Sequence, residues 1–149
     1  MRLVIGEKLY GPHKAQGLKS LRDILDELKG NLLVEYRIAG VTPRNWVILE
    51  ITGQDSEAFA NYISQHLGVV VQNLDELSKG DVIRGRVVDS GRVGYGLYVD
   101  IGLNKRCDAL IPLYSMRNDL AKGAKLSARQ LIKLFCLYDN LPVELEIVS

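Results

Sequence analysis

The chain has 149 residues, 47% of them hydrophobic, which suits one medium domain or two small ones. Its formal net charge is +1, so no strong overall field draws it to nucleic acid or to a membrane surface. Its two cysteines, Cys107 and Cys136, form no CxxC pair and assemble no tetrahedral zinc set with His13 and His66, so neither a disulfide framework nor a cofactor is expected.

The first elements alternate between strand and helix. Residues 2–5, RLVI, predict a short strand. From Ala15 to Lys29 the apolar residues Leu18, Leu21, Ile24, Leu25 and Leu28 follow helical spacing, and Gly30 stands where a C-cap glycine belongs. Residues 32–38 alternate, with Val34, Tyr36 and Ile38 on one side and Glu35 and Arg37 on the other. Residues 46–52, WVILEIT, are β-branched and apolar, and Trp46 is expected in the core. Asp55 or Ser56 caps a second helix, in which Phe59, Ile63 and Leu67 recur every four residues. Gly68 ends it, and residues 69–72 predict a fourth strand. The order β-α-β-β-α-β predicts a ferredoxin-like α/β sandwich over residues 1–74. Residues 73–80 then read as a linker.

The pattern changes after it. Residues 81–89, 95–101 and 107–113 predict three short strands without a long helix between them, as in an antiparallel barrel or meander. Residues 127–138 predict a helix with Ser127 as N-cap, and 141–148 alternate as a strand. The charge is uneven: residues 1–76 carry 8 Lys+Arg and 10 Asp+Glu, whereas 77–149 carry 11 and 8. This second half is the one expected to meet a polyanion.

The segment GRVGYG (91–96) decides between two chemistries. A phosphate-gripping loop joins a strand to a helix, because the helix N-terminus supplies the positive dipole end. Here strands flank the glycines, and the G-K-[ST] ending is missing. The GXXG clamp of a KH domain lies between helices and is excluded on the same ground. What remains is a tight corner: Gly91 and Gly94 are expected at positive φ, and Gly96 is expected where another backbone comes close. Tyr95 and Tyr98 are three residues apart, and a bulge at Gly96 is expected to bring them to one face.

The stretches KGDVIRGRVV (79–88), GYGLYVDI (94–101) and DALIP (108–112) resemble an S1-type RNA-binding domain, a five-stranded OB barrel. The resemblance implies an S1-like OB barrel over residues 77–149, with a helical insertion near 114–138 and residues 141–148 as its fourth strand; no candidate for a fifth follows. It implies that Tyr95 and Tyr98 stack on bases, while Arg84, Arg86, Arg92, Lys105 and Arg106 are available for phosphates. The whole chain is also similar to archaeal proteins of no assigned activity.

The expectation is therefore a non-catalytic, cytoplasmic protein that binds single-stranded RNA, in translation or RNA processing. The alternative is a protein–protein interaction subunit of a larger assembly, for which Pro112 speaks, standing where many S1 domains place a histidine. No nucleophile–base pair suggests an enzyme. Asp81, Asp100 and Asp108 are expected to cap turns and pair with arginines, and both cysteines to be buried small hydrophobes. No window approaches the ~18 apolar residues of a membrane span.

Overall fold

The computed structural model describes residues 1–104 and 107–148. It is a mixed α/β structure with two antiparallel sheets. The chain divides into two compact units, Met1–Val70 and Val71–Ser149.

The first unit contains β1 (Arg2–Lys8), α1 (Lys14–Lys29), β2 (Glu35–Val41), β3 (Trp46–Thr52) and α2 (Ser56–His66). Its sheet has the order β1-β3-β2, all antiparallel. Alternation along the strands sends Ile5, Val47, Leu49 and Ile51 toward the helices, where they meet Leu21 and Leu25 of α1 and Phe59 and Ile63 of α2. Burying each such side chain contributes ~1.5–3 kcal/mol. Ile24, expected in the apolar stripe of α1, stays exposed. On the other face Trp46 is 1% exposed, beside Val4, Ile48 and Val70, with the Lys8 ammonium 4.9 Å from its ring centre. The core position expected for Trp46 is what the structure has.

The fourth strand expected at 69–72 is cut to a single bridge. Ile5 lies opposite Val69; the Gly6 N–H donates to the Gly68 carbonyl (2.9 Å) and the Val70 N–H to that of Val4 (2.9 Å). The pairing stops there because the Gln72 carbonyl accepts from Asn104 instead (2.8 Å). Asp55 precedes α2 but does not cap it. Its carboxylate accepts from the Leu33 N–H (2.8 Å).

The second unit contains β4 (Val82–Val88), β5 (Gly96–Asp100), β6 (Ala109–Pro112), α3 (Leu113–Ala121), α4 (Ala128–Phe135) and β7 (Pro142–Glu146). The sheet order is β6-β5-β4-β7, antiparallel throughout. The inner face carries Val87, Leu97 and Val143, which pack with Met116 of α3 and with Leu131 and Ile132 of α4. A second cluster of Val99, Ile101 and Leu103 joins Leu77, Ile83 and Leu145. Gly85 is inward-facing, and a Cβ there would lie 2.7 Å from the Asp100 carbonyl oxygen. Only glycine lets β5 lie that close.

Ser127 caps α4 as expected, in a full capping box with Gln130. The helical insertion differs in two ways. It holds two helices rather than one, and α4 stops at Phe135 because Cys136 turns left-handed at φ 54°. Cys107 and Cys136 are both exposed rather than buried. Cys136 terminates a helix, and its left-handed backbone turns the chain away from the apolar stripe that continues at Leu137. Among the described residues, no helix is long and apolar enough to cross a membrane.

Candidate functional site

The outer face of the second sheet follows from its register. Arg84, Arg86 and Val88 of β4 alternate with the buried Gly85 and Val87 and so point away from the core. Across the sheet, Val88 faces Tyr98 and Tyr98 faces Leu110. This face therefore holds two arginines, a tyrosine and an exposed leucine.

Tyr95 joins them from just outside the strand. It sits in the bend before β5 and is 55% exposed. The β5–β6 register runs unbroken from Gly96 to Val99, so the expected bulge at Gly96 is absent. The bend achieves the same result. The Tyr95 and Tyr98 hydroxyls are 2.5 Å apart, and the rings meet edge to face with centroids 6.1 Å apart. That hydrogen bond is the main reason the Tyr98 phenol is held above its ordinary range. The pair leaves ring surface open to solvent.

The glycines divide by role. A Cβ at Gly96 would collide with the Ile111 carbonyl oxygen of β6, which is the close backbone approach expected there. Gly91 has φ +80°, as a tight turn requires. Gly94 has no positive φ and open space around it, so that expectation fails. The second left-handed residue of the corner is Asp89, at φ 49°. The turn is fixed from outside: the Ser90 N–H donates to the Asp139 carboxylate (2.8 Å), and its hydroxyl donates to the Leu137 carbonyl (2.6 Å).

Carboxylates oppose the basic residues of the strands. Arg86 lies opposite Asp100, and Arg84 opposite Glu144. The Arg86 guanidinium also donates to the Asn140 carbonyl (3.2 Å). Asp100 is fully buried and accepts from the Gly102 N–H (3.0 Å), while Asp81 accepts from the Ser78 N–H (2.8 Å). Both carboxylates cap turns as expected. Arg92, in the turn, stands 3.6 Å from Asp89. Lys105 and Arg106 lie outside the described residues. The structure thus brings Tyr95 and Tyr98 together and sets Arg84 and Arg86 on one face, but with acids across from both.

Sequence reading passed over the residues that follow. The Leu113 N–H donates to the Tyr95 carbonyl (2.9 Å), so α3 starts at the tyrosine pair, and Tyr114 is 64% exposed there. Residues 113–138 hold five Lys+Arg and one Asp, whereas the rest of 71–149 holds six Lys+Arg and nine Asp+Glu. The positive charge of the second half therefore lies on the helices and not on the sheet. The signal was present as the run from Leu120 to Tyr138, which has four cations and no carboxylate.

Residues 2–73 match the family description DUF2110 N-terminal domain, and residues 77–149 match DUF2110 central domain. Together the two matches span almost the whole chain, in that order. No curated protein and no solved structure matches it.

Proposed function

We propose that the chain is a non-catalytic, cytoplasmic single-stranded RNA-binding protein acting in translation or RNA processing, with the outer face of the second unit as its binding surface. The observation that carries the reading is the exposed Tyr95–Tyr98 pair beside the exposed Leu110. Aromatic platforms of this kind stack on any base, because every base has a π-face. The 2′-hydroxyl offers a further handle that DNA lacks.

The finer fold belongs to the same proposal. We read the first unit as ferredoxin-like, since its order β1-β3-β2, with residue 69 bridged to the far edge of β1, suits a split βαβ sandwich. We read the second as an S1-like OB barrel, since β4 pairs with both β5 and β7 and the helices enter between β6 and β7.

A protein-interaction subunit is the competing reading. The carboxylates facing Arg84 and Arg86 and the exposed apolar Val82 and Leu110 speak for it. Fluorescence anisotropy of a labelled single-stranded RNA across a salt series separates the two. The RNA reading expects binding that weakens with salt and loses ~1–3 kcal/mol per stacked base in Tyr95→Ala/Tyr98→Ala. Absence of binding at low salt overturns it and leaves the protein partner.

A further inference from the structure

Resting on the RNA reading, we infer that the phosphate-holding surface is the outward side of α3 and α4 and the loop between them, with Lys122, Lys125, Arg129 and Lys133 as its cations, rather than the strand arginines.

Four observations converge on this surface. All four side chains are exposed, and among the described residues none is held in an ion pair. Arg129 and Lys133 are four apart on α4 and therefore neighbours on one helix face. That face is the outward one, because Ala128, Leu131 and Ile132 take the core side. Lys122 ends α3 in a left-handed turn at φ 52°, and Lys125 follows in the loop, so both project from the corner beside the start of α4.

The second observation is the cost of the arrangement. The first turn of α4 holds no acidic residue and carries Arg129 instead. A cation near a helix N-terminus opposes the dipole. A bound polyanion relieves that opposition and the mutual repulsion of the four charges.

Continuity with the tyrosine pair is the third. The Tyr95 carbonyl accepts from the first N–H of α3, which puts the exposed Tyr114 next along the surface from Tyr95. At the other end, exposed Tyr138 is tied to the β4–β5 turn by Ser90, which bonds Leu137 and Asp139 on either side of it. Exposed rings at 114 and 138 therefore flank the four cations along the chain, the pairing of π-faces with positive charge that a single-stranded nucleic acid meets.

The fourth concerns the choice of occupant. An anionic membrane also attracts cations, but a helix that lies in a bilayer surface turns its apolar stripe to the lipid. The stripe of α4 is already used in the core with Val87 and Met116. The outward side does expose Leu120, Leu134 and Phe135, but among them stand the four cations and, nearby along the chain, Tyr114 and Tyr138, a mixture that suits phosphates and bases.

The test compares three variants with the parent chain: Lys122→Ala/Lys125→Ala/Arg129→Ala/Lys133→Ala, Arg84→Ala/Arg86→Ala, and Tyr95→Ala/Tyr98→Ala. Each is titrated into a labelled 20-mer oligouridylate over a salt series, with thermal melting as the folding control. Each phosphate contact contributes about −0.7 to the slope of log K against log salt. The four-cation variant is expected to lose most of about three units of slope, and the strand-arginine variant to keep the parent slope. An unchanged slope in the four-cation variant, with binding lost in the tyrosine variant, overturns this inference and leaves the stacking platform standing. Loss in the four-cation variant alone keeps the inference and removes the platform. If the parent binds no RNA, both fall. Co-sedimentation with phosphatidylserine vesicles that disappears in the four-cation variant then assigns the surface to lipid.

Discussion

In the first unit Trp46 and Phe59 lie inside the fold, and the Tyr36 hydroxyl is tied to the Asp26 carboxylate (2.5 Å). In the second, Tyr95, Tyr114, Phe135 and Tyr138 stand at the surface. The sheets differ in the same way. Strand β3 is covered by the helices on one face and, at its start, by the Trp46 cluster on the other. On the sheet of the second unit the inner face is packed by the helices, while Tyr98 and Leu110 stay partly open on the outer one. Tyr10 and Tyr62 of the first unit are exposed as well, but it is in the second that two partly open rings, Tyr95 and Tyr98, meet; aromatic surface left in water contributes nothing to folding.

The largest contrast is expected from a pair of phenylalanine truncations. Phe59→Ala should cost about 3–5 kcal/mol, because it empties a fully buried site. Phe135→Ala should cost under ~1 kcal/mol, because the ring is already 42% exposed. Urea unfolding followed by the fluorescence of Trp46, the only tryptophan, reads the first unit, and far-UV circular dichroism alongside it reads the second as well. Similar losses in both variants would dissolve the distinction between an inward and an outward set of aromatics.

A smaller contrast sharpens the corner of the second unit. Gly96→Ala should destabilise by about 2 kcal/mol, since its Cβ meets the Ile111 carbonyl. Gly94→Ala should be neutral or slightly stabilising, because nothing crowds it and its φ is ordinary. Circular dichroism melts of the two variants decide; a costly Gly94→Ala would mean that the loop needs glycine for a reason other than space.

The smallest effect concerns the two tyrosine hydrogen bonds. Burial, and then the bond to Asp26, raise the Tyr36 pKa from 10.0 to about 12. The stabilisation is therefore complete below pH 10 and is lost as pH rises through 12. Tyr36→Phe should cost ~1 kcal/mol at neutral pH, and the gap to the parent should narrow between those values. Tyr98 is also raised, but its partner is the exposed Tyr95 and not a carboxylate. Tyr98→Phe should leave stability nearly unchanged. Urea midpoints at a series of pH values check both.

Much of the fold was legible because periodicity is a local property. The stripe Leu18, Leu21, Leu25 and Leu28 fixed α1, the alternation around Tyr36 fixed which side of β2 turns inward, and Ser127 with Gln130 fixed the start of α4. The expectation of an S1-type domain over residues 79–112 singled out Tyr95 and Tyr98, and their spacing raised the question of a shared face. Gly96 was legible too, because a glycine inside an apolar strand implies a close neighbour.

What the chain could not state locally was decided by partners far along it. Residues 69–72 have strand composition, yet a strand needs a partner, and Asn104 takes the Gln72 carbonyl that would extend the pairing. The small, apolar character of Cys136 suggested burial, yet its place at a helix end exposes it. Arg84 and Arg86 looked available until register set Glu144 and Asp100 across from them, residues 60 and 14 positions further along the chain. Sequence by itself determined the elements, the core stripes and the tyrosine pair, because neighbouring residues encode them. Tertiary structure decided which charges are neutralised and which surface stays open, because those depend on the residue that register and helix packing place opposite.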